Sequence, residues 1–217
     1  MYFCHHMNTF QKQLHQYCEN HSSPADPALY ELERETNLKT LAPQMMCGAF
    51  QGQLLYLLSS MIQATSILEV GVFTGYASIC MARGMAPGGK LHAIEVNKEL
   101  EYLIRKYIKK ADLETAIDLH IGDAKKIIPT LDTTFDMAFI DAGKKDNDFY
   151  YELLMDKLRP GGLLLVDNVL WSGKVVTGAQ DADTRAIDSF NKKVVADDRV
   201  ENVLLPIRDG LIVIRKK

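Results

Sequence analysis

The chain has 217 residues, of which 47% are hydrophobic and 24% charged, with a formal net charge of −3 and a pI near 6.1. That is enough apolar material for one well-packed domain. It lacks the basic excess by which a nucleic-acid binder holds phosphates, and no apolar run approaches the ~18 residues of a membrane span. The start has no charged-then-apolar leader pattern, so a cytoplasmic protein with neither nucleic-acid nor membrane partners is expected. Cys4, Cys18, Cys47 and Cys80 show no metal-knuckle or redox-pair spacing, and reduced thiols are expected.

Residues 1–44 are polar and broken by Pro24 and Pro27. They read as a helical extension on a core that runs from 45 to 217, all within one domain. Cys4, His5 and His6 sit together there and read as a solvated terminus rather than a metal site. From Gly52 to Ile62, Leu54, Leu55, Leu58, Met61 and Ile62 recur at helical spacing. Ser66–Gly71 is a short apolar run ending in glycine, a strand followed by a helix from Gly75 to Ala86. Lys90–Val96 reads as a strand and Lys98–Ala111 as an amphipathic helix. Its Leu100, Leu103, Ile104, Tyr107 and Ile108 fall on one face, with acids at its start and bases at its end.

Strand Ala116–Ile121, helix Ala124–Leu131, strand Asp136–Ile140 and helix Asp148–Leu158 follow. Pro160-Gly161-Gly162 turns the chain into the apolar strand Leu163–Val166. After a helix over Asp183–Val195, strands Val200–Leu205 and Leu211–Ile214 form a hairpin across Pro206–Gly210. Strands alternating with helices predict an α/β doubly wound, mostly parallel sheet with helices on both faces. The last hairpin adds an antiparallel strand near one edge.

In such a sheet ligands bind beyond the carboxyl ends of the strands. The first strand ends in Glu69-Val70-Gly71-Val72-Phe73-Thr74-Gly75-Tyr76. Its two glycines lack the three-glycine pyrophosphate signature, which argues against a nicotinamide dehydrogenase. Glu69 is a poor neighbour for phosphate and suits a cationic ligand such as a sulfonium amino acid. Glu95, ending the second strand, is a candidate for ribose hydroxyls. Asp123, after the third, is a candidate for an adenine amino group or for a helix N-cap. Asp141-Ala142-Gly143-Lys144 and Asp167-Asn168 end the fourth and fifth strands. Their oxygen donors suit Mg²⁺, and no His or Cys joins them to make zinc plausible.

These stretches, with Val169-Leu170-Trp171-Ser172-Gly173 and Leu205-Pro206-Ile207-Arg208-Asp209-Gly210-Leu211, resemble the cation-dependent, S-adenosylmethionine-dependent O-methyltransferases. That is the class I, Rossmann-like methyltransferase group holding caffeoyl-CoA and catechol O-methyltransferases. The similarity covers the chain from about Met45 onward. It implies a seven-stranded sheet and a cofactor site of Met45, Cys47, Glu69, Gly71, Phe73, Tyr76, Glu95, Asp123, Ala124 and Asp141. It also implies a divalent cation, Mg²⁺ or else Mn²⁺ or Ca²⁺, on Asp141, Asp167 and Asn168. Lys144 is then the general base, and Trp171 a wall of the pocket for a small aromatic diol.

The implied reaction activates a phenol, whose free pKa is about 10, by cation coordination and proton removal before in-line attack on the sulfonium methyl. A homodimer through the C-terminal hairpin is also implied. Gly143 stands where the family usually has Asp, Asp146-Asn147 where Asn-Tyr often follows, and Ala77 where many members have Ser. A metal-independent methyltransferase and a non-catalytic cofactor-binding protein are the alternatives.

Overall fold

The computed structural model describes residues 9–178 and 181–217; the Cys4-His5-His6 cluster lies outside them. Helices α1 (Thr9–Asn20), α2 (Pro27–Lys39) and α3 (Gly48–Met61) precede the first strand. Pro27 opens α2 directly after Asp26, whose side chain caps Ala28 N, so the proline starts a helix here rather than breaking one.

Then come β1 (Ser66–Val70), α4 (Tyr76–Gly84), β2 (Lys90–Glu95), α5 (Glu101–Lys110), β3 (Ile117–Ile121), α6 (Ala124–Ile127), β4 (Phe135–Ile140) and α7 (Asn147–Lys157). The chain ends with β5 (Leu158–Asp167), α8 (Lys174–Thr177), α9 (Ala182–Ala196), β6 (Val200–Leu205) and β7 (Leu211–Lys216).

The described strands form one seven-stranded sheet in the order β3-β2-β1-β4-β5-β7-β6. β3, β2, β1, β4 and β5 pair in parallel, and β7 runs antiparallel between β5 and β6. The strands are apolar on both sides because both faces are covered. Ile67, Leu91, Ala93, Met137, Phe139 and Leu165 pack with Leu55, Ile79, Leu103 and Tyr107 of α3, α4 and α5. Leu68, Val70, Ile94, Ala138, Ile140 and Val166 pack with Tyr151, Leu154, Ile187 and Phe190 of α7 and α9.

Several boundaries differ from the sequence reading, three of them for clear physical reasons. Pro160-Gly161-Gly162 is not a turn before a strand but an irregularity inside β5. Phe135 pairs with Leu158, Met137 with Leu163, and the register jumps between them, because buried Leu158 keeps its place beside Phe135. The helix from Ala124 tightens to a 3₁₀ turn at Ile128–Thr130, where Pro129 has no N–H to continue the ladder. The helix after β2 begins with a 3₁₀ turn, Lys98–Leu100, capped by the Asn97 side chain.

The chain runs outward from β1 in both directions, so the strand order reverses between β1 and β4. Their outgoing loops touch there: Asp141 N donates to Val70 O at 2.9 Å. A Cβ on Gly71 would lie 2.1 Å from Asp141 O, and its φ is +91°. Only glycine lets these two loops meet, and their junction is where a ligand is expected in such a sheet.

Candidate active site

On the β1–β2 side, Glu69 is fully buried. Its Oε2 accepts from Ser78 Oγ, and its Oε1 has no partner. Burial, then the charges of Asp141 and Glu95, push its carboxyl up to about 8. A buried acid with one open oxygen suits a cationic group. Glu95, also buried, is engaged by backbone. Its Oε2 accepts from Val72 N at 3.0 Å and Phe73 N at 2.8 Å, and its Oε1 from Asn97 N at 2.8 Å. These bonds hold the glycine-rich loop, in which Phe73 has φ +55°. A carboxylate offers about four lone-pair sites, which leaves one for an outside hydroxyl.

A cavity of about 20 Å³ lies above this loop, lined by Met45, Met46, Cys47, Glu69, Gly71, Phe73, Tyr76 and Asp141 among others. It is room for about one water. Met46 and Cys47 are buried over it, while Met45 points largely outward. Glu95, Asp123 and Ala124 do not line it. Asp123 is an exposed N-cap whose side chain accepts from Lys125 N at 2.9 Å, and Ala124 is buried beneath it.

On the β4–β5 side, Lys144 and Asp141 come together. Lys144 Nζ donates to Asp141 Oδ1 at 3.0 Å and to the carbonyl oxygen of Asp167 at 3.4 Å, and its side chain is only 11% exposed. Asp167 is buried. Its Oδ1 accepts from Asn168 N at 2.8 Å and its Oδ2 from Gln51 Nε2 at 2.9 Å. Burial, then the charge of Asp141, raises its pKa, while Gln51, Lys144 and Arg208 oppose the rise. A second positive charge between these acids would relieve that repulsion. Asn168 adopts φ +63° at the end of the same strand.

The loop after β5 is left-handed at Asn168, Trp171, Ser172 and Gly173. It is stapled to the β6–β7 turn: Asp209 Oδ1 accepts from Ser172 N, Asp209 O from Leu170 N, and Gly210 O from Val169 N. A Cβ on Gly210 would lie 2.4 Å from Leu170 Cγ. Burial pushes the Asp209 carboxyl up to about 6, against the pull of the Ser172 N–H and the Lys144 and Arg208 charges. Trp171 is half-buried against the α7–α9 side of the core.

Sequence reasoning gave no role to Met46, Gln51, Arg208 or Asp209. Gln51 did carry a signal. With Leu55 and Ser59 it forms the buried stripe of α3, and a polar amide in such a stripe needs a partner. The helix was expected to start at Gly52, one residue too late to include it. Gly143 has φ −60°, and the nearest atom to a Cβ there would be Asp146 Oδ2 at 3.9 Å, so nothing in the backbone requires glycine. Asn147 opens α7 buried, with neither amide atom partnered.

A profile of the O-methyltransferase family matches residues 19–217. Caffeoyl-CoA O-methyltransferase 2 of Populus trichocarpa is 34% identical, over 94% of this chain and 88% of its own length. Catechol O-methyltransferase domain-containing protein 1 of Mus musculus is 35% identical, over 91% and 78%. The crystal structure of an O-methyltransferase from Bacillus cereus in complex with SAH superposes with a TM-score of 0.86 at 29% identity, covering 94% of this chain and 97% of that one.

Proposed function

The chain belongs to the O-methyltransferase family, and we propose that it moves a methyl group from S-adenosylmethionine to one hydroxyl of a vicinal aromatic diol held at a divalent cation. One observation carries this reading: Asp141, at the β1–β4 junction with the buried, half-satisfied carboxyl of Glu69, has the like-charged Asp167 of the next strand as a neighbour, and Lys144 donates to the Asp141 carboxylate and the Asp167 main-chain carbonyl. The SAH complex of the Bacillus cereus relative supports the cofactor. The relatives named for caffeoyl-CoA and catechol support the acceptor class.

The residues fit both groups. Glu69, with its open Oε1, receives the cationic amino acid end, and the Gly71–Tyr76 loop cradles it. Glu95 has one lone-pair site left for ribose, and the Asp123–Ala124 turn borders the adenine side. Asp141, Asp167 and Asn168 hold the cation with hard oxygen donors. When bound, the sulfonium supplies the methyl group, and the cation supplies positive charge that makes a phenol more acidic.

The rest falls to the protein's own side chains. Nζ of Lys144, once it has released its own ammonium proton to solvent beside the cation, takes the acceptor hydroxyl proton as general base. Met46 and Cys47 exclude water from the transfer path, and Trp171 orients the ring so that oxygen meets methyl in line. The edge strand β6, with Val203 exposed, is the surface a second copy would cover in a homodimer.

The test is methyl transfer to a panel of catechols with Mg²⁺ and after chelation. Monomethylation that needs the cation is expected. Turnover that survives chelation would overturn the metal role, and no turnover with any vicinal diol would overturn the acceptor.

A further inference from the structure

We propose that Arg208 is a positioning residue that latches segment 44–46 over the cofactor pocket and so sets how fast the cofactor enters and leaves. The inference rests on the cofactor reading of that pocket and adds to it a residue and a kinetic role.

Arg208 lies in the β6–β7 turn, outside the pocket lining. Its guanidinium donates from Nη1 to Met46 O at 2.6 Å and from Nη2 to Gln44 O at 3.1 Å. These contacts span 162 and 164 positions of sequence and grip the middle of the short 3₁₀ turn Pro43–Met45 and the residue that caps its end. The same guanidinium abuts the start of α3, where a Cβ on Gly48 would lie 3.6 Å from Nη1. Two fixed donors on one planar group suit two carbonyls of a bent segment better than a single ammonium would.

The backbone supports a specific role. Arg208 has φ +51°, a region where glycine is unstrained and a long side chain is not. A turn that needed only its shape would be relaxed by glycine. What arginine adds is the grip on segment 44–46. Met45 and Met46 of that segment line the cavity over Glu69, so the hold on it governs passage of the amino acid end of the cofactor. The turn carrying the latch also holds the Trp171 loop through Asp209, so one turn contacts both segment 44–46 and that loop.

The experiment measures release of labelled S-adenosylhomocysteine, chased with excess unlabelled ligand, from wild type, Arg208→Gly and Arg208→Gln. Hydrogen exchange over residues 42–48 is followed in each. Release about tenfold faster in both variants is expected, as for the loss of charge-assisted hydrogen bonds, with faster exchange in 42–48. The thermal midpoint of Arg208→Gly is expected to be unchanged or raised. Release within twofold of wild type from either folded variant, with unchanged exchange, would overturn the latch. Should Arg208→Gly not fold, Arg208→Gln, which keeps the β-carbon and a polar stem, decides alone. A wild type that binds no adenosylhomocysteine would sink the cofactor reading instead. The latch is then judged by exchange alone, and unchanged protection in the variants overturns it.

Discussion

Glu95 and Asp167 are buried carboxylates ending strands on opposite halves of one sheet, and they are held in opposite ways. Glu95 is gripped by three backbone amides, of Val72, Phe73 and Asn97. Asp167 takes one from its own neighbour, Asn168, and one from the side chain of Gln51, 116 positions away, with Asp141 as a like-charged neighbour. Backbone donors come with the fold and survive most substitutions. A side-chain donor can be lost by one. The β1–β2 half is thus a stiff cradle, and the β4–β5 half a set of charges balanced by distant side chains.

The largest expected effect follows on the balanced half. Lys144→Ala should lower kcat by about 10²- to 10⁴-fold, the usual worth of a general base. Affinity for adenosylhomocysteine should stay within twofold, because Lys144 contacts the Asp141 carboxylate and the Asp167 main-chain carbonyl and not the stiff cradle. Steady-state rates at saturating Mg²⁺, with calorimetry for the ligand, separate the two. A parallel loss of ligand affinity would mean that the halves are not independent.

A smaller effect is expected behind the acids. Gln51→Met removes the donor to Asp167 Oδ2 while filling the same space. Loss of a residue supporting a metal ligand typically costs about 10- to 100-fold in affinity, and Mn²⁺ titration by electron paramagnetic resonance would read it. Stability should hold, because the substitution also removes Gln51 Oε1, a buried acceptor without a partner. Unchanged Mn²⁺ affinity would show that Asp167 orients itself through Asn168 N alone.

The same contrast governs what could be read from sequence. The alternation of apolar strands and amphipathic helices carried the sheet, and the loop residues Glu69, Gly71, Asp141 and Lys144 all meet at the β1–β4 junction. Those positions follow from the chain's local order and the rule that ligands sit at strand ends. For Asp123 the sequence admits two roles, and its cap on Lys125 N is the one seen directly. Gln51, Arg208 and Asp209 act across more than thirty intervening positions, on partners that only the folded chain brings near, so no local pattern marks Arg208 or Asp209, and the buried stripe of α3 marks Gln51 only as needing a partner, not which one. The Pro160-Gly161-Gly162 irregularity was hidden for a related reason. Its residues favour a turn locally, and pairing of Leu158 beside Phe135 overrides them.

Glu69 breaks the contrast, and that gives the smallest and most diagnostic prediction. It lies on the stiff half, yet one of its oxygens is unsatisfied and its carboxyl is pushed up to about 8 by burial. The free protein therefore holds a proton there at pH 7 that an unfolded chain, with a glutamate pKa of about 4.3, would release. The folded pKa is the raised one, so stability from this group is greatest at low pH and is lost as pH rises from the unfolded value through about 8. An ammonium seated on Glu69 restores the ionised form. Binding of adenosylhomocysteine should then expel up to one proton, and affinity should climb by at most about tenfold per pH unit until about pH 8. Calorimetry at pH 7 in buffers of different ionisation enthalpy counts the proton, and Glu69→Gln should abolish the count while weakening binding. Proton release that persists in Glu69→Gln would assign it to another acid, and the stiff half would then contain no exception.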